Sequence, residues 1–570
     1  MRALLPLLTL SLAAQVPAGR TAEDRMRADL TFLASPALEG RGNGSPKLDA
    51  AADYVVRSYQ ALGLKAEVQR FPFIARIKRA TFAGTLAGRP LVPGKDIEAV
   101  GFSADADLKA VPLRFVGYGM KGGDYDDLGD LKGQAAVIFR KVPNLPAFSA
   151  IRRMETSLPV RIQKLQAAGA VLVIVAEEGD APAPLTREEG PTLVGLPTVS
   201  MPGATLAPLL DLPALRVRIA ETGKAQTAPV QGATLDLAFT LRREEAQLPN
   251  LTVRIPGTDS KLKDECIVVG AHMDHLGLGE RHSLGGSAAR GQVHPGADDN
   301  GSGTVMVMEV ARHFKAHPAA RTIVFLHFSG EEEGLLGSAE WVKHPAVPLA
   351  SVKFMVNLDM VGRLDPDKPT LNISGLGAPK AAVERAGTMA PAGVKLGAES
   401  GVAVGGSDHM SFSAARIPTF FFFTGLHGDY HRPSDTPDRI NYPAMGKVEE
   451  MVEKVVQDLA DAKAVPAFDP ETAKMAQGGE RNALQVYFGI LPDFAEDPKG
   501  FRISGTMAGT TSEAVGLKAG DVIIQFGDVT VKNIYDYMAA LGKFKPGDKA
   551  VVKWLRAGVE MQAEATLKGR

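Results

Sequence analysis

In the middle of the chain, His, Asp and Glu residues stand just beyond the ends of apolar, strand-like runs. "IVVGAHMDHLG" supplies His272 and Asp274, "PGADDNGSGT" Asp298 and Asp299, and "FSGEEEG" Glu331, Glu332 and Glu333. "VNLDMVGR" then supplies Asp359, and "HGDYHRPSDT" His427 and His431. Carboxylates converging on one sheet edge repel and raise one another's pKa unless a cation neutralises them. Imidazoles mixed with carboxylates suit zinc, whereas calcium or magnesium calls for oxygen donors alone. Two imidazoles with three carboxylates are too many donors for one catalytic zinc that keeps an open position. They fit two zinc ions that share a carboxylate and lie about 3.5–4 Å apart.

Each residue also has a plainer reading. Asp298 or Asp299 is placed to cap the helical run "GTVMVMEVARHF", and three glutamates are favoured by the macrodipole at a helix start. His275, His282, His294 and His427 read as surface or outer histidines rather than ligands. Coincidence argues against the plain reading throughout: separate strands each end in a metal-ligand residue followed by Gly or a turn.

The elements that must position these residues are strands alternating with amphipathic helices between about 245 and 465: "CIVVGAH", "RTIVFLHF", "VKFMVNLDM" and "IPTFFFF" among helical stretches. That alternation predicts an α/β layer with a mostly parallel sheet, whose carboxyl edge is where ligands bind. Two helices are expected between Glu23 and Leu64, followed by strands to about residue 94. Residues 95–240 carry short strands around the helix "RIQKLQAAGA", and 478–568 form a strand-rich tail with a short helix.

A chain of 570 residues exceeds one hydrophobic core and predicts about three or four domains. With 64 Lys+Arg against 65 Asp+Glu, it has no electrostatic footprint for nucleic acid or an anionic membrane. "MRALLPLLTLSLAAQVPAGR" has the form of a signal peptide over 1–18, so a periplasmic or secreted protein is expected. No stretch is long enough for a membrane span. The single Cys266 excludes an intrachain disulfide and reads as a small buried apolar residue.

The motif order H-x-D, G-A-D-D-x-x-S-G, E-E-x-G, L-D-M and H-x-x-x-D-T resembles the co-catalytic dizinc aminopeptidases of peptidase family twenty-eight, over roughly 23–75 and 248–464. The resemblance implies a zinc-exopeptidase-like sandwich with a mostly parallel central sheet and flanking helices. By it, His272 and Asp359 are terminal ligands of one zinc, Glu332 and His431 of the other, and Asp299 bridges them. It further implies Glu331 as general acid/base and Asp274 as the carboxylate orienting His272; Glu333 gets no role. Asp408 and His409 in "GGSDHMSF" are weaker candidates for supporting or substrate contact.

Residues 95–240 resemble a β-rich protease-associated domain, through "FVGYG", "DYDDLGDLKGQAAVIF", "KLQAAGAVLVIV" and "LPTVSM", which implies a module shaping access to a zinc cleft. The tail, with "GLKAGDVIIQF", resembles a PDZ domain of bacterial proteases. A PDZ domain takes a peptide C-terminus by β-augmentation, here at the loop Tyr487 to Ile490. The leading expectation is an aminopeptidase acting on peptides. Two alternatives stand beside it: a carboxypeptidase or other amide hydrolase on the same metals, kept open by Arg363 and Arg432 as carboxylate clamps, and a non-catalytic peptide-binding protein acting through the PDZ-like domain.

Overall fold

The structure is a computed structural model that describes residues 21–473, except 144, 149–150, 152, 186–194, 286, 368 and 398–405, and residues 486–569, except 493–498, 507–509, 519, 532–533 and 542. The apolar leader expected over 1–18 and the polar stretch "KMAQGGERN" lie outside the described residues. The chain divides into two compact units, one built mainly from the start of the chain to Pro72 and from Gln247–Ala483, the other mainly from Phe73–Ala246 and Ile503–Arg570.

The first unit opens with helices α1 (Ala22–Leu33) and α2 (Pro46–Ala61). Its sheet strands are β1, the 251–255 end of Ala228–Ile255, then β2 (Cys266–His272), β3 (Thr322–Phe328), β4 (Val352–Leu358), β5 (Thr370–Ser374), β6 (Lys395–Leu396) and β7 (Thr419–Phe423). The order across this unit is β6-β5-β7-β4-β2-β3-β1. The four central strands, β3, β2, β4 and β7, run parallel, while β1 and β5 pair antiparallel with β3 and β7. A mixed α/β architecture with a mostly parallel sheet is therefore present, as the alternation of runs implied.

All seven residues of β2 are buried, the mark of a strand covered on both faces. On one side lie α3 (Gly303–Ala316), α6 (Tyr442–Asp461) and α1, packed on one another and, through α3 and α6, on β2. On the other, α4 (Leu336–Lys343) and α5 (His409–Ala414) seat Trp341 and Phe412 on Val268, Leu326 and Met355. Cys266 is buried in that same apolar cluster, as its composition-based reading required.

Between the helices a buried acid sets a pH dependence. Burial pushes the Glu449 carboxyl up to about 9, and hydrogen bonding with Glu453 and the charges of Glu453 and Glu309 add to it against Arg25. A carboxyl raised above its unfolded value contributes stability that is present below about pH 4.5 and lost as pH rises through about 9. Glu449→Gln is therefore expected to flatten the thermal stability profile between pH 5 and 9 and to gain at least ~1 kcal/mol at the alkaline end, or about 2–4 °C. Melting curves across that range would check it.

The second unit has its own core. Ala106–Gly117, Ala135–Phe139, Leu172–Glu177 and Thr198–Pro202 pair in parallel succession, with the helices Leu158–Ala167 and Leu212–Thr222 in the same stretch. In the C-terminal segment, Val522–Phe526 pairs antiparallel with Lys549–Arg556, which pairs antiparallel with Val559–Thr566. The loop Tyr487 to Ile490 holds Gly489 at φ +86°, with its carbonyl accepting a bond from Ser512.

Candidate metal centre

Parallel strands end on the same side, so β2, β3, β4 and β7 deliver their following residues to one edge. His272 is the last residue of β2; Glu331 and Glu332 follow β3 by three and four positions, Asp359 follows β4 directly, and His431 stands in the loop after β7. Asp299 comes from the turn that leads into α3.

Two triangles of donors result. In one, His272 Nε2 lies 3.5 Å from Asp299 Oδ1 and 3.5 Å from Asp359 Oδ1. In the other, His431 Nε2 lies 3.2 Å from both Asp299 Oδ2 and Glu332 Oε2. Two donors on a tetrahedral zinc at about 2.0–2.1 Å are about 3.3 Å apart, so the distances from each imidazole to its two carboxylates match the edge of a zinc site. The two oxygens of Asp299 serve one triangle each, the arrangement of a bridging carboxylate. Asp359 Oδ1 is buried with no hydrogen-bond partner among the described residues, a cost that a cation at this position removes. The donor set therefore fits two zinc ions.

The imidazoles are held as metal ligands usually are, by the other ring nitrogen. His431 Nδ1 donates to the carbonyl of His282 at 3.0 Å. His272 Nδ1 lies 3.2 Å from the Asp274 carbonyl and 3.6 Å from its Oδ1. The Asp274 carboxylate, wholly buried, also accepts from Asn43 Nδ2 at 2.6 Å and from the amides of Glu331 and Glu332 at 3.3 and 3.4 Å. Asp274 thus locks the end of β2 to the end of β3.

The adjacent glutamates are driven apart. Burial pushes the Glu331 carboxyl well above the usual carboxylate range; His272 opposes this, while Glu332, Asp359 and Asp408 add to it. Burial acts the same way on Glu332, but His431 and His275 outweigh it and hold that carboxyl well below its usual value. His431 rises to about 11: burial opposes its charge, and Glu332 and Asp299 overcome that. One neighbour is thus placed to hold a proton and the other to remain an anion.

Asp298 is no helix cap. Its Oδ1 accepts from the Gly362 amide at 2.7 Å and its Oδ2 lies 3.1 Å from His427 Nε2. His427 therefore supports the Asp299 turn from behind and stands outside both triangles. Asp435 completes that support by accepting from the amides of Asp298 and Asp299. Glu333 faces Arg281 at 3.6 Å. Asp408 is buried near the centre with its carboxyl raised to about 7, by burial first, and His409 stacks on Phe421 at 4.5 Å.

His275 and His294, read as surface or outer histidines, are both buried, and His275 takes an outer place with Nδ1 2.7 Å from Glu332 Oε1. Arg41 was not visible in the sequence as a functional residue. Arg41 is wholly buried and spends its guanidinium on the carbonyls of Met273, Leu33, Pro295 and Gly296, all at 2.7–2.8 Å. It clamps the backbone next to Asp274 and the loop that leads to Asp299. Its pKa falls to about 10 through burial, opposed by Asp274, Asp299, Asp435 and Glu332, so it stays charged at neutral pH. Arg41→Met leaves those carbonyls unsatisfied at ~1–3 kcal/mol each. It is expected to lower the melting temperature by roughly 10 °C or more and to weaken metal retention, checked by calorimetry and metal analysis. The signal was present as an Arg between glycines in "LEGRGNGS", but its partners are far along the chain.

Residues 250–456 match the family model described as Peptidase family M28. Among curated proteins, the chain is 26% identical over 444 residues to Aminopeptidase YwaD of Bacillus subtilis (strain 168), covering 76% of this chain and 84% of that protein. It is 28% identical over 254 residues to a probable leucine aminopeptidase of Arthroderma benhamiae, covering 43% of this chain and 66% of that protein. Among solved structures, an aminopeptidase from Aneurinibacillus sp. strain AM-1 aligns at TM-score 0.51 and 23% identity, over 79% of this chain and 96% of that one. That last likeness carries the fold.

Proposed function

We propose that the chain, similar to peptidase family M28 over residues 250–456 and to a bacterial aminopeptidase, is a metallo-aminopeptidase that removes amino-terminal residues from peptides with two zinc ions held by His272, Asp359, Asp299, Glu332 and His431. The observation that carries this reading is the pair of donor triangles joined through the two oxygens of Asp299. Zinc bound there supplies a water of lowered pKa and a Lewis acid for the scissile carbonyl.

The chain's own residues do the rest. Glu331 Oε2 stands 3.9 Å from His272 Nε2, beside the first triangle but not in it. As a carboxylate it takes a proton from the attacking water, and the raised pKa that burial and neighbouring acids give it lets it hold that proton until it passes to the leaving amine. Asp274 fixes the orientation of His272 and, through the amides of Glu331 and Glu332, the position of the base itself. Arg363 spends Nη2 on Asp429 at 2.9 Å, while its Nη1 is buried without a hydrogen-bond partner among the described residues.

The module readings belong to the same proposal. The segment 95–240 is a protease-associated domain, the tail a PDZ domain that takes peptide C-termini, and the apolar leader over 1–18 directs export to the periplasm or beyond. Among the described residues no helix is long and apolar enough to cross a membrane.

The test is hydrolysis of amino-acid anilides against amino-blocked peptides, with and without a chelator. Cleavage of the free-amine substrates alone, lost on chelation, is expected. Activity confined to blocked substrates would instead identify a carboxypeptidase, and activity on neither would favour a binding protein.

A further inference from the structure

One buried imidazole at the centre has no part in either zinc triangle. His275 is 1% exposed, its ring stands edge-on to His431 with centroids 5.8 Å apart, and its Nδ1 lies 2.7 Å from Glu332 Oε1. Together with Asp299 and Glu332 it forms a group able to hold a metal ion. The distances decide between ligand and support. At 2.7 Å the Nδ1–Oε1 pair is a charge-assisted hydrogen bond and is shorter than the ~3.3 Å edge of a tetrahedral zinc site. Nδ1 is also 3.8 Å from Asp299 Oδ2, beyond the spacing of the two triangles. Glu332 thus offers one oxygen to each imidazole: Oε1 to His275 and Oε2 to His431.

The backbone is built to hold that ring. The His275 amide donates to the Arg41 carbonyl at 3.2 Å, and the residue bridges Gly42. On the other side, Gly296 lies at φ +57°, and a Cβ there would meet the His275 ring carbons at 2.5 Å. Only glycine lets the turn approach the imidazole this closely. Nε2 of His275 is buried without a hydrogen-bond partner among the described residues, a penalty that stability alone does not justify.

We propose that His275 is a positioning residue of the second zinc site, holding Oε1 of Glu332 by its Nδ1–H so that Oε2 alone faces the metal shared with His431 and Asp299. The inference rests on the two-zinc reading above. Without the clamp, Glu332 swings between one-oxygen and two-oxygen contact, and the second site loses its fixed geometry while the first, built from His272 and Asp359, does not.

The experiment is a zinc titration of the full chain, stripped with a chelator and then titrated against a chromophoric competitor. Wild type is expected to bind two equivalents. His275→Ala should weaken one site by ~10–100-fold, the usual cost of removing a ligand's support, and leave the other unchanged. His275→Asn places an amide nitrogen near the position of Nδ1 and should restore most of the lost affinity. Zinc X-ray absorption should count the same number of imidazoles in His275→Asn as in wild type. The proposal is overturned if His275→Ala keeps both affinities or weakens both alike, or if a folded His275→Asn does not recover. Loss of one imidazole from the zinc shell in His275→Asn would overturn it in favour of a direct ligand. Wild type binding no zinc would sink the two-zinc reading and the inference together.

Discussion

Glu331→Gln is expected to lower kcat by ~10²–10⁴-fold, the range that a positioned general acid/base contributes, with two zinc ions still bound and KM little changed. Gln keeps the shape and the hydrogen-bonding reach of the side chain but neither takes nor gives a proton at neutral pH. Its amide lies beside the triangle of His272, Asp299 and Asp359 and supplies none of the donor atoms there. Removing this carboxyl also relieves an acid that burial first, and its acidic neighbours next, push well above the ordinary range, so the metal-free variant should melt no lower than metal-free wild type. Metal analysis alongside steady-state kinetics on an amino-acid anilide separates the outcomes. A variant that loses activity and zinc together would make Glu331 a ligand and leave the base unassigned.

Asp299→Ala should have the larger structural effect, because that one carboxylate gives Oδ1 to one triangle and Oδ2 to the other. Loss of a residue that only supports a ligand costs ~10–100-fold in affinity; loss of a shared ligand should exceed that at both positions. After gel filtration in metal-free buffer the variant is expected to retain less than one zinc per chain and no measurable peptidase activity. Ligand binding stabilises a fold by RT ln(1 + [L]/Kd), so added zinc should raise the melting temperature of wild type and leave that of Asp299→Ala unmoved. A variant that keeps one tightly bound zinc and a zinc-dependent melting shift would show that the two sites are independent rather than bridged.

The parallel sheet and its edge were legible because β-branched runs such as "CIVVGAH" and "RTIVFLHF" name buried strands, and parallel strands necessarily deliver their ends to one side. Each donor follows such a run, apart from Asp299 in its turn and His431 in its loop. His275 was legible only as a surface or outer histidine; its task escaped because its partner, Glu332, is reached across space and the ring is held by Gly296, a relation without sequence periodicity. Arg41 escaped for the same reason: it sits in an irregular turn where Glu39, Gly40 and Arg41 itself adopt positive φ, and none of the carbonyls it clamps lies nearer than Leu33. The plainer alternative of a cap fails for Asp298 because the helix begins only at Gly303, and the intervening turn carries Asp298 inward to His427 and Gly362. Local pattern reveals which elements form, but a side chain whose role is to join two loops is written in no local pattern.

The donors are gathered from His272 to His431, with the Arg41 clamp far upstream of them all. At ribosomal speeds of about 5–20 residues per second, roughly ten to thirty seconds pass between the first donor's synthesis and the last. On the two-zinc reading proposed above, the growing polypeptide has throughout that interval no complete pair of cation sites, and so no hydrolytic power over itself or its neighbours. Any fragment broken off before His431 would be born inert, a safeguard that requires neither an inhibitor nor a removable pro-segment.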